Sequence, residues 1–118
     1  MNILYLEDNQ NDANLVSRYI DTTGHQLKVV TNQEEARRAM QKQNFDLVLV
    51  DVMLGTQRSG ADFARELRNN NYNGSLIGVT ALTSAQDKAQ YQQIGFDFVL
   101  SKPFTIMELA NLLERYLS

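Results

Sequence analysis

The sequence contains no cysteine, which excludes a disulfide scaffold, a thiolate metal site and a cysteine nucleophile. It also has no run of about 18 apolar residues that could span a membrane, and no charged start followed by an apolar signal segment. The formal net charge of −3 gives no general attraction to nucleic acid or to acidic lipid. We therefore expect neither nucleic acid nor membrane as a partner. The lack of cysteine is consistent with a reducing compartment, and we expect a cytoplasmic location.

What is present has the composition of a single globular domain. The 118 residues leave room for one domain, taken here as residues 1–118, and 43% apolar and 21% charged residues are ordinary for such a domain. Short aliphatic runs alternate with segments of helical periodicity. Five runs are predicted to be strands: Ile3–Leu6, Leu27–Val30, Leu47–Val50, Leu76–Val79 and Phe98–Leu100. This alternation predicts a doubly wound α/β fold, in which a five-stranded parallel sheet carries helices on both faces.

Two helix starts can be predicted from capping residues. Thr31 and Glu34 have the spacing of a capping box at the start of the second helix. Thr105 and Glu108 have the same spacing at the start of the last helix. The segment from Val52 to Gly60 is predicted to be a loop.

Polar residues follow the predicted strands at the points where those strands end. Glu7 and Asp8 follow the first strand, Asp51 the third and Thr80 the fourth, and Lys102 lies just past the fifth. In a parallel sheet these ends share one edge, where sites form. Three carboxylates without cysteine or histidine suit Mg²⁺ or Mn²⁺, and a hydroxyl and an ammonium beside them suit a phosphoryl group. A carboxylate can itself be the nucleophile, and Asp51 is the single acid at the end of the central strand.

Each of these residues taken alone has an ordinary structural explanation. An acid pair after a strand is usually part of a solvated loop or a helix start, and aspartate is common after strands as a turn residue. Lys102 with Pro103 is most often a turn. The joint pattern supports a site, because independent accidents at four strand ends are improbable.

Four stretches of the chain resemble the response regulator receiver domain of two-component signalling, a CheY-like domain. They are ILYLEDN at residues 3–9, LVLVDVML at 47–54, VTAL at 79–82, and GFDFVLSKPF at 95–104. The match extends over essentially the whole chain in the right order. It implies the flavodoxin-like (βα)5 fold with strand order 2-1-3-4-5. It also implies a phosphorelay, in which a histidine kinase or a histidine phosphotransfer protein supplies the phosphoryl group from a phosphohistidine.

The resemblance also implies which residues receive the phosphoryl group and hold the metal. Asp51 would be the phosphoacceptor. Glu7 and Asp8 would hold Mg²⁺ together with Asp51, helped by the backbone carbonyl of Met53. Mn²⁺ is expected to substitute for Mg²⁺. Such a domain is not an enzyme in the usual sense, because it catalyses only its own phosphorylation and dephosphorylation.

The switch residues implied by the resemblance include one departure from the family. Thr80 would bond a phosphoryl oxygen in the active state, and Lys102 would pair with that group. Receivers usually carry tyrosine or phenylalanine three residues before the lysine, where this chain has Val99. Either Phe98 replaces the usual aromatic residue, or this receiver switches without one. An equally acceptable interpretation is that Phe98 only packs on the surface of the last strand.

The chain departs from the family in two further ways. Gly55 stands where a proline is usual, and Gly60 comes one residue late, so the loop after the acceptor is expected to be longer and more mobile. No output domain is present in the sequence. We therefore expect a stand-alone response regulator, or a receiver excised from a hybrid histidine kinase or a larger regulator. A homodimer through the fourth helix, fifth strand and fifth helix is a further expectation.

Three other interpretations of the sequence compete with a phosphorylated receiver. A phosphatase with an aspartate nucleophile needs an Asp-x-Asp motif at Asp8 and a late acid pair, and the sequence has neither. A flavodoxin-type flavin module needs a hydroxyl-rich phosphate loop where Glu7 and Asp8 stand. A receiver-like docking module that works without phosphorylation remains an alternative, although all five site residues are present.

Overall fold

Ten alternating strands and helices make up the chain in the computed structural model, which describes residues 1–53 and 59–117. The strands are β1 (Asn2–Leu6), β2 (Gln26–Val30), β3 (Leu47–Asp51), β4 (Ser75–Thr80) and β5 (Phe98–Ser101). The helices are α1 (Gln10–Ile20), α2 (Gln33–Lys42), α3 (Ser59–Asn69), α4 (Ala85–Ile94) and α5 (Ile106–Leu117). In these two ranges no helix is both long enough and apolar enough to cross a membrane.

The strands form one parallel sheet in the order β2-β1-β3-β4-β5, which confirms the predicted fold and strand order. Strand β3 is central and buried along its whole length. Alternate residues of the strands enter two cores, one beneath α1 and α5 and the other beneath α2, α3 and α4. The strand order reverses between β1 and β3, so the crevice of this fold lies at the carboxyl ends of these two strands, beside Glu7 and Asp51.

Helix α2 begins one residue later than the predicted capping box. Its N-cap is Asn32, whose side-chain oxygen accepts a hydrogen bond from the amide nitrogen of Glu35 at 2.9 Å. Thr31 instead donates its hydroxyl to the Glu35 carboxylate. The predicted pairing of Thr31 with Glu34 was therefore wrong by one position, because both adjacent pairs have the spacing of a box.

The predicted box at the last helix is confirmed. The Thr105 hydroxyl oxygen accepts from the Glu108 amide at 3.1 Å, and the Glu108 carboxylate accepts from the Thr105 amide at 3.1 Å. Each residue therefore satisfies a main-chain donor that the helix leaves without a partner within its own turns.

Helix α3 starts against the end of the central strand. It begins at Ser59, so Gly60 lies in the helix and not in the predicted loop. A Cβ atom at Gly60 would overlap the main-chain oxygen of Asp51, and the helix can approach the strand this closely because glycine has none. Gly55 lies outside the described residues.

The amino edge of the sheet, opposite the predicted site, is fastened by Arg68 at the end of α3. The guanidinium donates to the Asp97 carboxylate at 3.0 Å, and that carboxylate also accepts from the amide nitrogen of Leu76 at 2.9 Å. The Arg68 guanidinium also donates to the main-chain oxygens of Tyr72, Gly74 and Gly95. One side chain thus joins α3, the start of β4 and the turn between α4 and β5.

Candidate functional site

The predicted site residues converge at the carboxyl edge of the sheet because their strands run parallel. Glu7 continues β1, with its amide nitrogen 2.9 Å from the carbonyl oxygen of Val30 in β2. Asp51 is the last residue of β3 and Thr80 the last residue of β4. Lys102 follows β5, and its amide donates to the Thr80 carbonyl at 2.8 Å. Main-chain pairing therefore places all four residues at one edge.

The Glu7 carboxylate is buried and held by three donors. Tyr5 donates its hydroxyl to Oε2 at 2.9 Å, and the Asn9 amide donates to Oε1 at 3.1 Å. The ammonium of Lys102 lies 3.0 Å from Oε2 and 3.3 Å from Oε1. Burial raises the pKa of Glu7 to about 7, and the charge of Asp51 adds to the rise, although Lys102 acts in the opposite direction. Without a metal, a carboxylate at this place is costly to ionise.

Lys102 is the cation that links the acids of this edge. Its ammonium lies 3.1 Å from Asp51 and 3.0 Å from Asp12, in addition to its contacts with Glu7. Burial alone would lower the pKa of Lys102, but the hydrogen bonds that its ammonium donates to Asp12 and Glu7 outweigh burial and raise it. The peptide bond between Lys102 and Pro103 is cis. The lysine therefore carries its charge at neutral pH and neutralises part of the acidic cluster.

Three carboxylates at this edge fit a hard divalent cation. One oxygen each of Glu7, Asp8 and Asp51 lie within 4.8 Å of one another. Glu7 and Asp51 are buried, whereas Asp8 is exposed. The Met53 amide donates to the Asp51 carboxylate at 3.1 Å, which places Met53 beside this acid. An all-oxygen set with one exposed ligand suits Mg²⁺, which keeps several waters.

Thr80 lies fully inside the protein at the end of β4. Its hydroxyl oxygen accepts a hydrogen bond from the Leu82 amide at 3.1 Å. This bond uses a lone pair of the hydroxyl and not its proton. The Thr80 hydroxyl thus has a hydrogen-bond partner without a phosphoryl group, and its bond to a phosphoryl oxygen stays a prediction. Leu82 also accepts, through its carbonyl, from the hydroxyl of the buried Tyr91 at 3.0 Å, which ties this loop to α4.

The two candidates for the aromatic switch lie on opposite faces of β5. Val99 is half-buried and packs on the core beneath α2, α3 and α4. Phe98 is 40% exposed, and its ring lies 6.4 Å from the ring of Tyr116 in α5. Phe98 therefore does not occupy the place that an aromatic residue at position 99 would take. A switching role for either residue stays a prediction.

The comparisons with known proteins agree with this arrangement. The family model of the response regulator receiver domain matches residues 3–114, which is nearly the whole chain. The chain belongs to the response regulator receiver family. In this receiver, the match includes all the strand ends at which the acids, the hydroxyl and the lysine lie.

Two curated relatives contain this domain as one part of a longer protein. The receiver is 31% identical over 117 residues to the transcriptional regulatory protein RprY of Bacteroides fragilis, covering 99% of this chain and 49% of the relative. It is 28% identical to the aerobic respiration control sensor protein ArcB of Escherichia coli, covering 98% of this chain and 15% of that protein. The chain thus spans half or less of the length of these relatives.

A solved structure gives the comparison that bears on the metal. The receiver domain of a sensor histidine kinase from Pseudomonas aeruginosa PAO1 is 28% identical, with a TM-score of 0.84, covering 98% of this chain and 96% of that one. That structure is described with a magnesium ion coordinated in its active-site cleft.

Three residues at or near the carboxyl edge of the sheet were not identified as site residues from the sequence pattern. In the sequence pattern Tyr5 is only part of an apolar strand, Asp12 is one of several charges of α1, and nothing marks Tyr91 as a site residue. The alternation of β1 places Tyr5 on the same face as Glu7 and was a usable signal for that pair. No comparable signal links Asp12 to a lysine 90 positions away.

Proposed function

We propose that Asp51 is the phosphoacceptor of a two-component phosphorelay. The carrying observation is the surroundings of Asp51: a buried carboxylate at the end of the central strand, 3.1 Å from the Lys102 ammonium and beside two further acids. The donor is a phosphohistidine of a histidine kinase or of a histidine phosphotransfer protein. That the chain is a receiver domain of two-component signalling follows from the family match over residues 3–114.

The transfer is a displacement at phosphorus. A carboxylate oxygen of Asp51 forms the new phosphorus–oxygen bond while the phosphorus–nitrogen bond to the donor histidine breaks. The electron pair of that bond stays on the imidazole, which takes up a proton. The product is an acyl phosphate on Asp51. In the metal-free protein, the Met53 amide and the Lys102 ammonium hold the Asp51 carboxylate, one at each oxygen.

Mg²⁺ is proposed to be held by the carboxylates of Glu7, Asp8 and Asp51 and by the main-chain carbonyl of Met53. Mn²⁺ is proposed to be able to replace Mg²⁺ at this site. When bound, the ion neutralises charge on the transferring phosphoryl oxygens. Two observations support the assignment: the three carboxylate oxygens within 4.8 Å of one another, and the magnesium described in the cleft of the related kinase receiver. The acid set offers only oxygen ligands, as Mg²⁺ requires.

Thr80 and Lys102 are proposed to recognise the phosphoryl group once it is present. The Thr80 hydroxyl can donate its proton to a phosphoryl oxygen, and the Lys102 ammonium can move from the carboxylates to the same group. Movement of Thr80 would carry Leu82, whose amide bonds to its hydroxyl and whose carbonyl bonds to Tyr91. The signal would therefore reach α4 through two hydrogen bonds.

Residues 1–118 are proposed to work as one receiver unit in the cytoplasm. The chain spans half or less of the length of its curated relatives, one a transcriptional regulator and the other a sensor protein. We propose that a longer protein containing this receiver would be either a regulator or a hybrid kinase. We also propose that two copies of the receiver can form a homodimer through α4, β5 and α5. The receiver itself is proposed to catalyse only its own phosphorylation and dephosphorylation.

Labelling with a small-molecule phosphodonor tests this function. The protein is incubated with acetyl phosphate with and without Mg²⁺, and intact-mass spectrometry counts the phosphoryl groups. We expect one group with Mg²⁺ and far less in excess EDTA. Asp51→Asn keeps the shape of the side chain and should gain none.

Asp46→Asn is the matched control, since Asp46 immediately precedes the opposite end of the same strand. Its carboxylate accepts from the Asn2 amide at 2.8 Å, and an asparagine oxygen can do the same. This variant should be labelled like the wild type. A wild type that takes up no phosphoryl group would instead favour the docking module, and labelling of Asp51→Asn would place the acceptor elsewhere.

A further inference from the structure

Tyr5 is a buried polar residue that the proposed transfer does not use. Its side chain is fully buried among the apolar residues beneath α1 and α5. Its hydroxyl donates at 2.9 Å to Oε2 of Glu7, two residues further along the chain and just past the end of β1. A hydroxyl in such a place destabilises the fold unless it has a partner, and here the partner is a proposed metal ligand.

The three donors to Glu7 differ in which of its carboxylate oxygens they contact. Tyr5 bonds only to Oε2, and the Asn9 amide bonds only to Oε1. Lys102 contacts both oxygens and also reaches Asp51. Lys102 therefore links Glu7 to Asp51. Tyr5 and Asn9, which are two residues before and after Glu7 in the sequence, hold only the Glu7 carboxylate.

We propose that Tyr5 is a positioning residue for the metal site, holding the Glu7 carboxylate in place when Mg²⁺ takes over the charge neutralisation that Lys102 provides. The inference rests on the proposed metal site. It follows from two features: the bond from Tyr5 does not involve Lys102, and the aromatic ring is fixed by the core. Groups that orient metal ligands in this way commonly change metal affinity by about ten- to a hundredfold when they are removed.

The length of the glutamate side chain is part of the same arrangement. Aspartate at position 7 would withdraw the carboxylate by one carbon–carbon bond, about 1.5 Å, which exceeds the tolerance of a hydrogen bond of 2.9 Å. The hydroxyl of Tyr5 and the extra methylene of Glu7 should therefore act as a pair. Either substitution should remove the same interaction.

Calorimetric titration with Mg²⁺ in the absence of a phosphodonor tests the pair. Tyr5→Phe keeps the ring in the core and should raise the Kd for Mg²⁺ about tenfold. Tyr72→Phe is the matched control, because it removes a hydroxyl that donates at 2.9 Å to the main-chain oxygen of Phe45, a residue before β3 at the other edge. That variant should bind Mg²⁺ like the wild type.

The double variant separates positioning from general weakening of the fold. In a Glu7→Asp background, Tyr5→Phe should change the Kd for Mg²⁺ by less than about twofold, because the shared bond is already absent. A full tenfold effect in that background would overturn the inference. So would a Tyr5→Phe variant with the wild-type Kd.

A measurement on the unmutated protein keeps the test independent of variant folding. With ¹³C-labelled tyrosine, the ζ-carbon signal of Tyr5 should shift during Mg²⁺ titration while that of Tyr72 stays in place. A stationary Tyr5 signal at saturating Mg²⁺ would contradict the inference alone. A wild type that binds no Mg²⁺ would overturn the proposed metal site and, with it, the inference.

Discussion

The two edges of the sheet hold their charges in different ways. At the amino edge, the Arg68 guanidinium donates to Asp97 and to three main-chain oxygens, at 2.8 to 3.0 Å. At the carboxyl edge, the Lys102 ammonium lies among the acids Glu7, Asp12 and Asp51. The first arrangement is neutral and joins three elements. The second has excess negative charge among the described residues, so we assign stability to the first edge and the proposed function to the second.

Removing the arginine should affect stability and leave the site intact. Arg68→Ala removes one of the two donors to the Asp97 carboxylate and a donor from each of three main-chain carbonyls, and we expect a loss of about 2 kcal/mol in the free energy of unfolding. Urea denaturation measures this loss. The Kd for Mg²⁺ should stay at the wild-type value, since Arg68 lies at the far edge. A large change in that Kd would show that the two edges are not independent.

The lifetime of the phosphorylated state should depend on the carboxyl edge alone. In receivers, the residues two past the acceptor and two past the threonine flank the attacking water, and here they are Met53 and Leu82. Neither side chain can orient a water by hydrogen bonding. The double variant Met53→Asn/Leu82→Glu should dephosphorylate at least about tenfold faster, as read from decay of the phosphorylated mass. Decay no faster than in the wild type would refute the role of these side chains.

The conformational response should depend on Thr80. Thr80→Ala removes the hydroxyl that bonds to the Leu82 amide and is proposed to meet the phosphoryl group. The variant should still accept phosphate at Asp51 but should lose most of the amide chemical-shift changes in α4 and β5. Thr83→Ala, in the same loop, is the control and should respond like the wild type. An unchanged response in Thr80→Ala would remove the proposed route.

The stability of the metal-free protein should fall as pH rises. The pKa of Glu7 is about 7 in the folded protein against 4.5 for an ordinary glutamate, so the folded state binds more protons between these values. Stability is therefore lost from about pH 4.5 upward and reaches its lower plateau above pH 7. Urea denaturation in EDTA from pH 5 to 8 measures the trend. Glu7→Gln should flatten it, and a parallel slope in that variant would assign it to other groups.

A smaller change should sharpen the contrast in charge. Asp8→Asn removes one carboxylate from the acidic set, so Mg²⁺ binding and phosphorylation should both weaken. The metal-free fold should gain a few tenths of a kcal/mol, because Asp8 is exposed and its repulsion is screened by water. Thermal unfolding in EDTA measures the gain. A metal-free variant less stable than the wild type would contradict a repulsive cluster.

The carboxyl edge was more predictable from sequence than the amino edge, for a physical reason. Aliphatic runs mark the strands, and parallel strands bring their ends together, so Glu7, Asp51, Thr80 and Lys102 could be placed without knowing any side-chain direction. The partners of Arg68 are mostly main-chain oxygens, which no residue type reveals.

Local ambiguity explains the remaining differences. Thr31 and Asn32 can both cap a helix, and each has an acid three residues later, so the spacing could not choose between them. Tyr5 was overlooked because its ring belongs to the core while its hydroxyl belongs to the site.

The contact between Gly60 and the main chain of Asp51 has a consequence for how the chain can vary. A side chain at position 60 would meet the peptide group of the acceptor, so the first turn of α3 rests directly on it. Insertions or deletions between these two residues are compatible with the fold only if a glycine still arrives at that peptide group. The number of residues between Asp51 and this glycine can therefore change, whereas a side chain at the glycine would force α3 away from the end of β3.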